Sequence, residues 1–269
     1  MNLKPRYERV YTKPAGAPCN ICQIAKPLTE DHVPPRSCLE DLHLEMEPFE
    51  HRLRADAPRL PWSQSGVRFK TLCADCNSIL GKNFDPALAQ LVKDVRSWLR
   101  SPMALGDRWT VGARVDLVVK SVFGHLLAAT TDDAQTKADR QMRDYLNGNL
   151  QRPGTETNVF YWLHEDHLVG VLRGVAMPTV RGRFDEVGIF SIIKVPPLGF
   201  IVTDTEQYEE LPRLIPHSTT APPQSQTVRL WRSLRHDPDW PERIDEGNYL
   251  VGGASLRDAL SARPRKLKR

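Results

Sequence analysis

Two short segments of this chain carry the residue types that do chemistry. Cys19 with Cys22 and Cys73 with Cys76 form two C-x-x-C pairs, and the fifth cysteine, Cys38, stands alone. Two thiolates three residues apart in a tight turn bind one tetrahedral ion from one side. A second pair, brought in by folding, completes a four-thiolate shell of the kind that structural zinc takes. A lone C-x-x-C is shared with redox dithiols, but neither pair sits in a βαβ pattern. The segment from Met1 to Pro14 alternates charge with proline and has no apolar stretch, so it does not read as an export signal. Metal ligation is therefore the expectation ahead of disulfides.

Between the pairs lies Thr29-Glu30-Asp31-His32-Val33-Pro34, and Asn77 directly follows Cys76. Asp31 offers a hard carboxylate oxygen and Asn77 a neutral amide oxygen. Magnesium accepts both while keeping most of its octahedral shell for water and phosphate. His32 can take a proton from water beside a metal-bound phosphate, since a neutral imidazole with a pKa near ~6.5 works at neutral pH. On an extended strand His32 faces away from Asp31, and a strand ended by Pro34 would bring the two into one site. Cys76 would anchor the helix that carries Asn77, so a structural ion would hold a catalytic one in place. Glu30 reads as an exposed carboxylate rather than a further ligand, and Cys38 as a buried thiol. Arg36, Arg68, Lys70 and Lys82 flank the motif, as phosphate contacts or as ordinary surface charge.

The order C-x-x-C, Asp-His-Val-Pro, C-x-x-C-Asn, Gly-Lys resembles the zinc-bearing HNH endonucleases with their ββα-metal fold. Cys73-Ala-Asp-Cys-Asn77-Ser-Ile-Leu-Gly81-Lys-Asn-Phe-Asp85 is especially similar to the HNH subfamily whose last cysteine precedes Asn and a Gly-x-x-x-Asp turn. The likeness covers roughly residues 17 to 88. It implies that Asp31 and Asn77 hold one divalent ion, that His32 is the general base, and that a phosphodiester is hydrolysed to a 5′-phosphate and a 3′-hydroxyl, with DNA the expected substrate. The chain departs from the pattern in carrying Arg36-Ser37-Cys38 where many members have a glycine pair. It also has a long spacer holding Glu40, Asp41, Glu45, Glu47 and Glu50. That acidic stretch reads as a solvated loop or as a cover that substrate displaces.

The elements that must position these residues follow from periodicity. Leu28 to Val33 reads as a short strand stopped by Pro34-Pro35, and the alternating Val67 to Leu72 as a half-buried strand entering the second cysteine pair. Ala74 to Leu80 reads as two helical turns closed by Gly81 at C′. Asp85-Pro86 reads as an N-cap and N1 proline for a helix with Leu88, Leu91, Val92, Val95 and Leu99 on one face, ended at Ser101-Pro102. Further helices are expected over Val111 to Ala129 and Ala134 to Leu150. Val159 to Leu163 and Leu168 to Val175 then flank His164-Glu165-Asp166-His167 as a hairpin would, which makes both histidines solvent-facing loop residues rather than metal ligands. Val187 to Val195 and Gly199 to Thr203 form two more strands around Pro196-Pro197. Tyr161, Trp162 and Trp231 are expected in the core rather than under stacked bases.

The fold class expected is α+β: an N-terminal zinc and HNH domain over residues 1–104, and a C-terminal helical and antiparallel α+β region over 105–269 that senses, binds the target or interacts. Apolar residues at 40% and charged residues at 26% are those of a globular protein, here expected in the cytoplasm with no membrane partner. The net charge of +4 does not by itself point to a polyanion, and the basic cluster Arg263, Arg265, Lys266, Lys268, Arg269 reads as a solvated tail or a nucleic-acid contact. A second copy of the chain or a regulatory partner would act through the C-terminal region. The alternative to the nuclease is a zinc-stabilised nucleic-acid-binding or gated protein whose nuclease site is inactive until that region is triggered. No Walker loop, G-x-G-x-x-G or G-x-S-x-G is present.

Overall fold

The structure, a computed structural model, describes residues 10–39, 67–102, 106–132, 135–164, 169–180, 183–204, 211–217, 225–235, 243–245, 248–251 and 260–262. The chain folds as α+β. The acidic residues between 40 and 50, His167 and the basic residues beyond 262 lie outside these ranges.

Strands β1 (Val10–Thr12), β2 (Leu28–Val33) and β3 (Val67–Cys73) form a sheet in the order β1-β3-β2, with β1 parallel and β2 antiparallel to β3. The alternation that marks β3 in the sequence has its cause here, because one face is buried and the other wet. Phe69 and Thr71 point inward from β3, while Lys70 between them is exposed. A bulge lies between Thr29 and Glu30, after which the register is regular: Asp31 faces Phe69 and His32 faces Arg68. The strand therefore stays extended through Val33, and Asp31 and His32 point to opposite faces. Pro34 comes too late to bring them together.

The next segment departs from the expected stop at Gly81. Helix α1 (Ala74–Ile79) continues through a π-helical turn (Leu80–Phe84) into α2 (Asp85–Leu99). Gly81 is exposed and takes no positive φ, so it caps nothing. Asp85 is likewise not an N-cap; its side chain makes no cap hydrogen bond and turns into the core. The wide turn gives the freed backbone one extra residue, which is how a π-bulge re-aims the side chains after it.

The helix expected from Val111 begins later. Residues 108–113 are strand β4 (Arg108–Ala113), paired antiparallel with β9 (Gln226–Trp231), and their burial alternates as a strand's does. Helix α3 (Val115–Ala128) then runs through the centre of the molecule, with every residue but Lys120 buried. A helix apolar all round belongs in a core. Helix α4 (Lys137–Leu146) starts three residues after the expected Ala134, where Thr136 and Asp139 form a capping box, and ends before Leu150.

The C-terminal sheet runs β5-β8-β7-β6, from β5 (Asn158–Leu163), β6 (Gly170–Val180), β7 (Arg183–Val195) and β8 (Leu198–Thr203), all antiparallel. The expected hairpin of β5 with β6 does not form: β5 pairs with β8, and β6 with β7. The β7–β8 hairpin turns at Pro196-Pro197, as their spacing implied. Tyr161 and Trp162 are buried, as expected, and Trp162 lies across Gly199, where a Cβ would stand 2.2 Å from the ring. His164 is fully buried rather than in a solvent-facing loop. Strands β9, β10 (Arg243–Asp245), β11 (Asn248–Val251) and β12 (Leu260–Ala262) occupy the stretch that reads as loop-rich in the sequence.

One cluster of buried apolar residues extends from Cys19 to Leu234 and so spans both sides of residue 104. Helix α3 packs on α2, on the π turn, and on β2 and β3. Its carboxyl end is closed by side chains from distant elements. Asn20 donates to Leu127 O at 2.8 Å and Thr130 O at 2.9 Å, Thr71 Oγ1 donates to Ala128 O at 2.7 Å, and Arg173 donates to Leu126 O. Helix ends leave such carbonyls without intrahelical partners, and their negative dipole end favours cations nearby. Lys13, which donates to Asn20 Oδ1 at 2.9 Å, completes that arrangement.

Candidate metal centre and active site

Cys19, Cys22, Cys73 and Cys76 come together although two lie in a turn before β2 and two flank the start of α1. Their sulfurs all lie within 4.8 Å of one another, and no other such group of His, Cys, Asp and Glu occurs among the described residues. Cys22 Sγ and Cys73 Sγ are 3.8 Å apart. Four sulfurs at ~2.3 Å from a tetrahedral ion would be about 3.8 Å apart, so donor set and size both fit zinc. The first pair is held by a turn in which Gln23 N donates to Cys19 O at 2.9 Å, with Gln23 itself at φ 58°. Its side chain donates to Cys19 O and Asn20 O, which secures that left-handed residue without a glycine.

The Cys76 thiol, helped by backbone N–H groups that include that of Cys73, holds Cys19 down to about 4 against the opposing effect of burial. The same bond, together with burial, pushes Cys76 up. One proton shared between two sulfurs is what a metal ion would displace.

Asn77 follows Cys76 by one position and faces β2. Its Nδ2 donates to Glu30 O at 3.0 Å and to Thr29 Oγ1 at 3.1 Å. A carbonyl can only accept, so the Glu30 contact fixes the amide's orientation and directs Oδ1 away from the strand. The helix that bears Asn77 is thus seated beside Asp31 and His32.

His32 lies half-buried on the outer face of β2, in the row of Arg68 and beside Glu30. Burial holds its imidazole below the usual range, Asp31 opposes this, and the Arg68 and Arg36 guanidinium groups add to it. The ring is neutral at pH 7 and able to accept a proton. Arg68 bonds Glu30 at 2.7 Å, and Arg36, Lys70 and Lys82 are exposed. Glu30 is exposed too, as expected. Arg68 and Lys70 share the His32 face, Arg36 lies in the 3-10 turn after β2 (Arg36–Cys38), and Lys82 stands apart in the π turn. Cys38 is buried.

Asp31 occupies the opposite face, where its carboxylate meets a residue that the sequence did not mark. His125 of α3 lies with Nδ1 3.3 Å from Asp31 Oδ2 and Nε2 2.9 Å from Asp85 Oδ1. The second contact is a hydrogen bond; the first is an ionic approach without hydrogen-bond alignment, so both Asp31 Oδ2 and His125 Nδ1 are buried and unbonded. Burial lowers the His125 pKa, but Asp85 and Asp31 outweigh it and carry it to about 10. Burial raises Asp85, but the attraction and hydrogen bond of His125 together with the bond from Ser121 outweigh it and bring Asp85 below the ordinary carboxylate range. His125 lies in the apolar run of α3, where a lone histidine reads as core; only Asp85, quoted in the motif but read as a cap, hinted at a partner.

Among the described residues no helix is long and apolar enough to cross a membrane. Compared with models of known families, with curated proteins and with solved structures, the chain matches none.

Proposed function

We propose that this chain is a divalent-metal-dependent endonuclease of the HNH type, with a zinc ion in the four-cysteine cluster and DNA as substrate. The observation that carries the reading is the seating of Asn77 on β2. Two antiparallel strands lead into a helix whose first turn bonds the strand bearing Asp31 and His32, one residue after a cluster cysteine. Hard oxygen donors from Asp31 and Asn77 suit Mg²⁺. Such an ion, when bound, would neutralise charge on the attacked phosphate and on the departing 3′-oxygen.

The chain's own residues do the rest. His32, neutral and beside two guanidinium groups, takes the proton from the attacking water. Arg68, Arg36 and Lys70 on or beside that face attract the phosphate backbone. Asp31 and His32 point to opposite faces, yet among the described residues β2 is the edge strand of its sheet. A phosphate lying along that edge would reach both.

A second reading rests on one observation: Asp31 is only 10% exposed at its side chain and has one oxygen turned to His125. This favours a zinc-stabilised nucleic-acid-binding protein whose nuclease constellation is closed, or opens only on a trigger to the C-terminal region. Plasmid cleavage by the zinc-loaded protein with Mg²⁺, with EDTA, and as His32→Ala separates the readings. The nuclease loses about 10²- to 10⁴-fold in rate on losing its base. A folded wild type that retards DNA in a gel without cutting it would sink the nuclease reading and leave the second.

A further inference from the structure

Three elements deliver charged groups to one buried point. Asp31 comes from β2, Asp85 from the start of α2, and His125 from the last turn of α3. Ser121, one turn earlier on α3, donates to Asp85 Oδ1 at 2.7 Å. Asp85 Oδ1 thus takes bonds from a hydroxyl and an imidazole, whereas Asp31 has only the unaligned contact at Oδ2. Oδ2 of Asp31 is sealed from solvent, and the side chain as a whole keeps 10% of its surface exposed.

His125 cannot share an ion with both acids, because its two nitrogens point out of opposite sides of a rigid ring and each is turned to a different carboxylate. The ring acts as a strut. Anchored through Nε2 to Asp85, it sets its other nitrogen 3.3 Å from one Asp31 oxygen, an ionic contact that favours one rotation of the carboxylate. Buried partners of this kind commonly orient metal-binding side chains.

We infer that His125 is a positioning residue for Asp31: it occupies the buried carboxylate oxygen and presents the other as a ligand for the divalent ion. The inference rests on the proposed role of Asp31 and adds a helix beyond residue 104 to the machinery. It predicts that the ion's affinity depends on the Nδ1 side of the ring specifically.

Two conservative variants divide the ring's contacts. An asparagine amide matches the position of Nδ1 and keeps the approach to Asp31; a glutamine amide matches Nε2 and keeps the bond to Asp85. Mn²⁺ affinity is measured calorimetrically on zinc-loaded wild type, His125→Asn and His125→Gln, with zinc content and cleavage followed in parallel. The expected result is an affinity about tenfold or more weaker in His125→Gln, with His125→Asn close to wild type. Equal affinities in the two folded variants, as a merely structural histidine would give, overturn the inference, and so does a wild type that binds no Mn²⁺. A wild type that binds Mn²⁺ without cutting defeats the nuclease reading instead, and the comparison of affinities still decides the role of His125. Should the variants not fold, the ¹⁵N resonances of His125 in the wild type are followed during Mg²⁺ titration. A saturable shift supports the strut, and none overturns it.

Discussion

Gly124 of α3 faces Leu80 of the π turn so closely that a Cβ at that position would stand 2.2 Å from Leu80 Cδ2 and 2.9 Å from Cδ1. Both residues are buried, and the contact sets the distance between α3 and the helical rod made by α1, the π turn and α2. The position of His125, the next residue, follows from it. Gly124→Ala forces Leu80 aside in a filled core, where overpacking costs about 1–3 kcal/mol. Urea denaturation should show that loss. A stability within experimental error of wild type would mean that the helices can separate freely.

Metal removal should act on folding rather than on activity alone. The four sulfurs tie the turn at residues 19–24 to the junction of β3 with α1, and small zinc modules draw about 10–16 kcal/mol of apparent folding energy from their ion. Chelation of a metal ion held by the four sulfurs, or Cys73→Ser, should abolish the cooperative thermal transition seen by circular dichroism. An unchanged transition in metal-free protein would show that the core holds without the cluster.

The pH dependence of stability should bear the mark of His125. Its folded pKa of about 10 exceeds the unfolded value of ~6.5, so the folded state keeps a proton that the unfolded state releases. The resulting stabilisation is complete below about pH 6.5 and fades as pH rises through about 10. The difference in unfolding free energy between wild type and His125→Gln should therefore shrink from pH 7 to pH 10. A constant difference would mean that the ring is neutral in the folded protein.

A fragment of residues 1–104 should not fold as the intact protein does. Removing the rest of the chain strips α3 from the inner face of β2 and β3 and from Leu88, Leu91, Val92 and Val95 of α2, all buried. It also leaves Asp85 without His125 and Ser121. Gel filtration and one-dimensional NMR of the fragment should show aggregation or poor dispersion. A well-dispersed monomer that binds zinc would establish the segment as an independent unit.

The sequence marked the parts whose reason is local. The cysteine pairs, the bounds of β2, the apolar face of α2 and the burial of Trp162 all follow from spacing or alternation within a few residues. What it did not mark depends on distant partners. Val111 and Ala113 fit a helical pattern as well as a strand; pairing with Val228 and Gln226 of β9 decides it. Gly81 looks like a stop, yet the π turn passes through it because Leu80 and Asp85 on either side are drawn into the core. His125 carries no motif around it, since both its partners come from other elements. The Asp31-His32 pair stands out in the sequence by its residue types alone, but the opposite orientation of the two side chains was settled by an unbroken register to Val33.

The bonds from Asn20 to the carbonyls of Leu127 and Thr130 also impose a sequence of events on synthesis. A ribosome delivers all four cysteines by residue 76, long before α3 leaves the exit tunnel. The nascent chain can bring the four sulfurs together at that stage, but the inner face of β2 still lacks the helix that covers it and Asp31 still lacks its neighbour. Metal capture and completion of the site are thus separated in time, and the protein finishes its candidate active site only once α3 has been made.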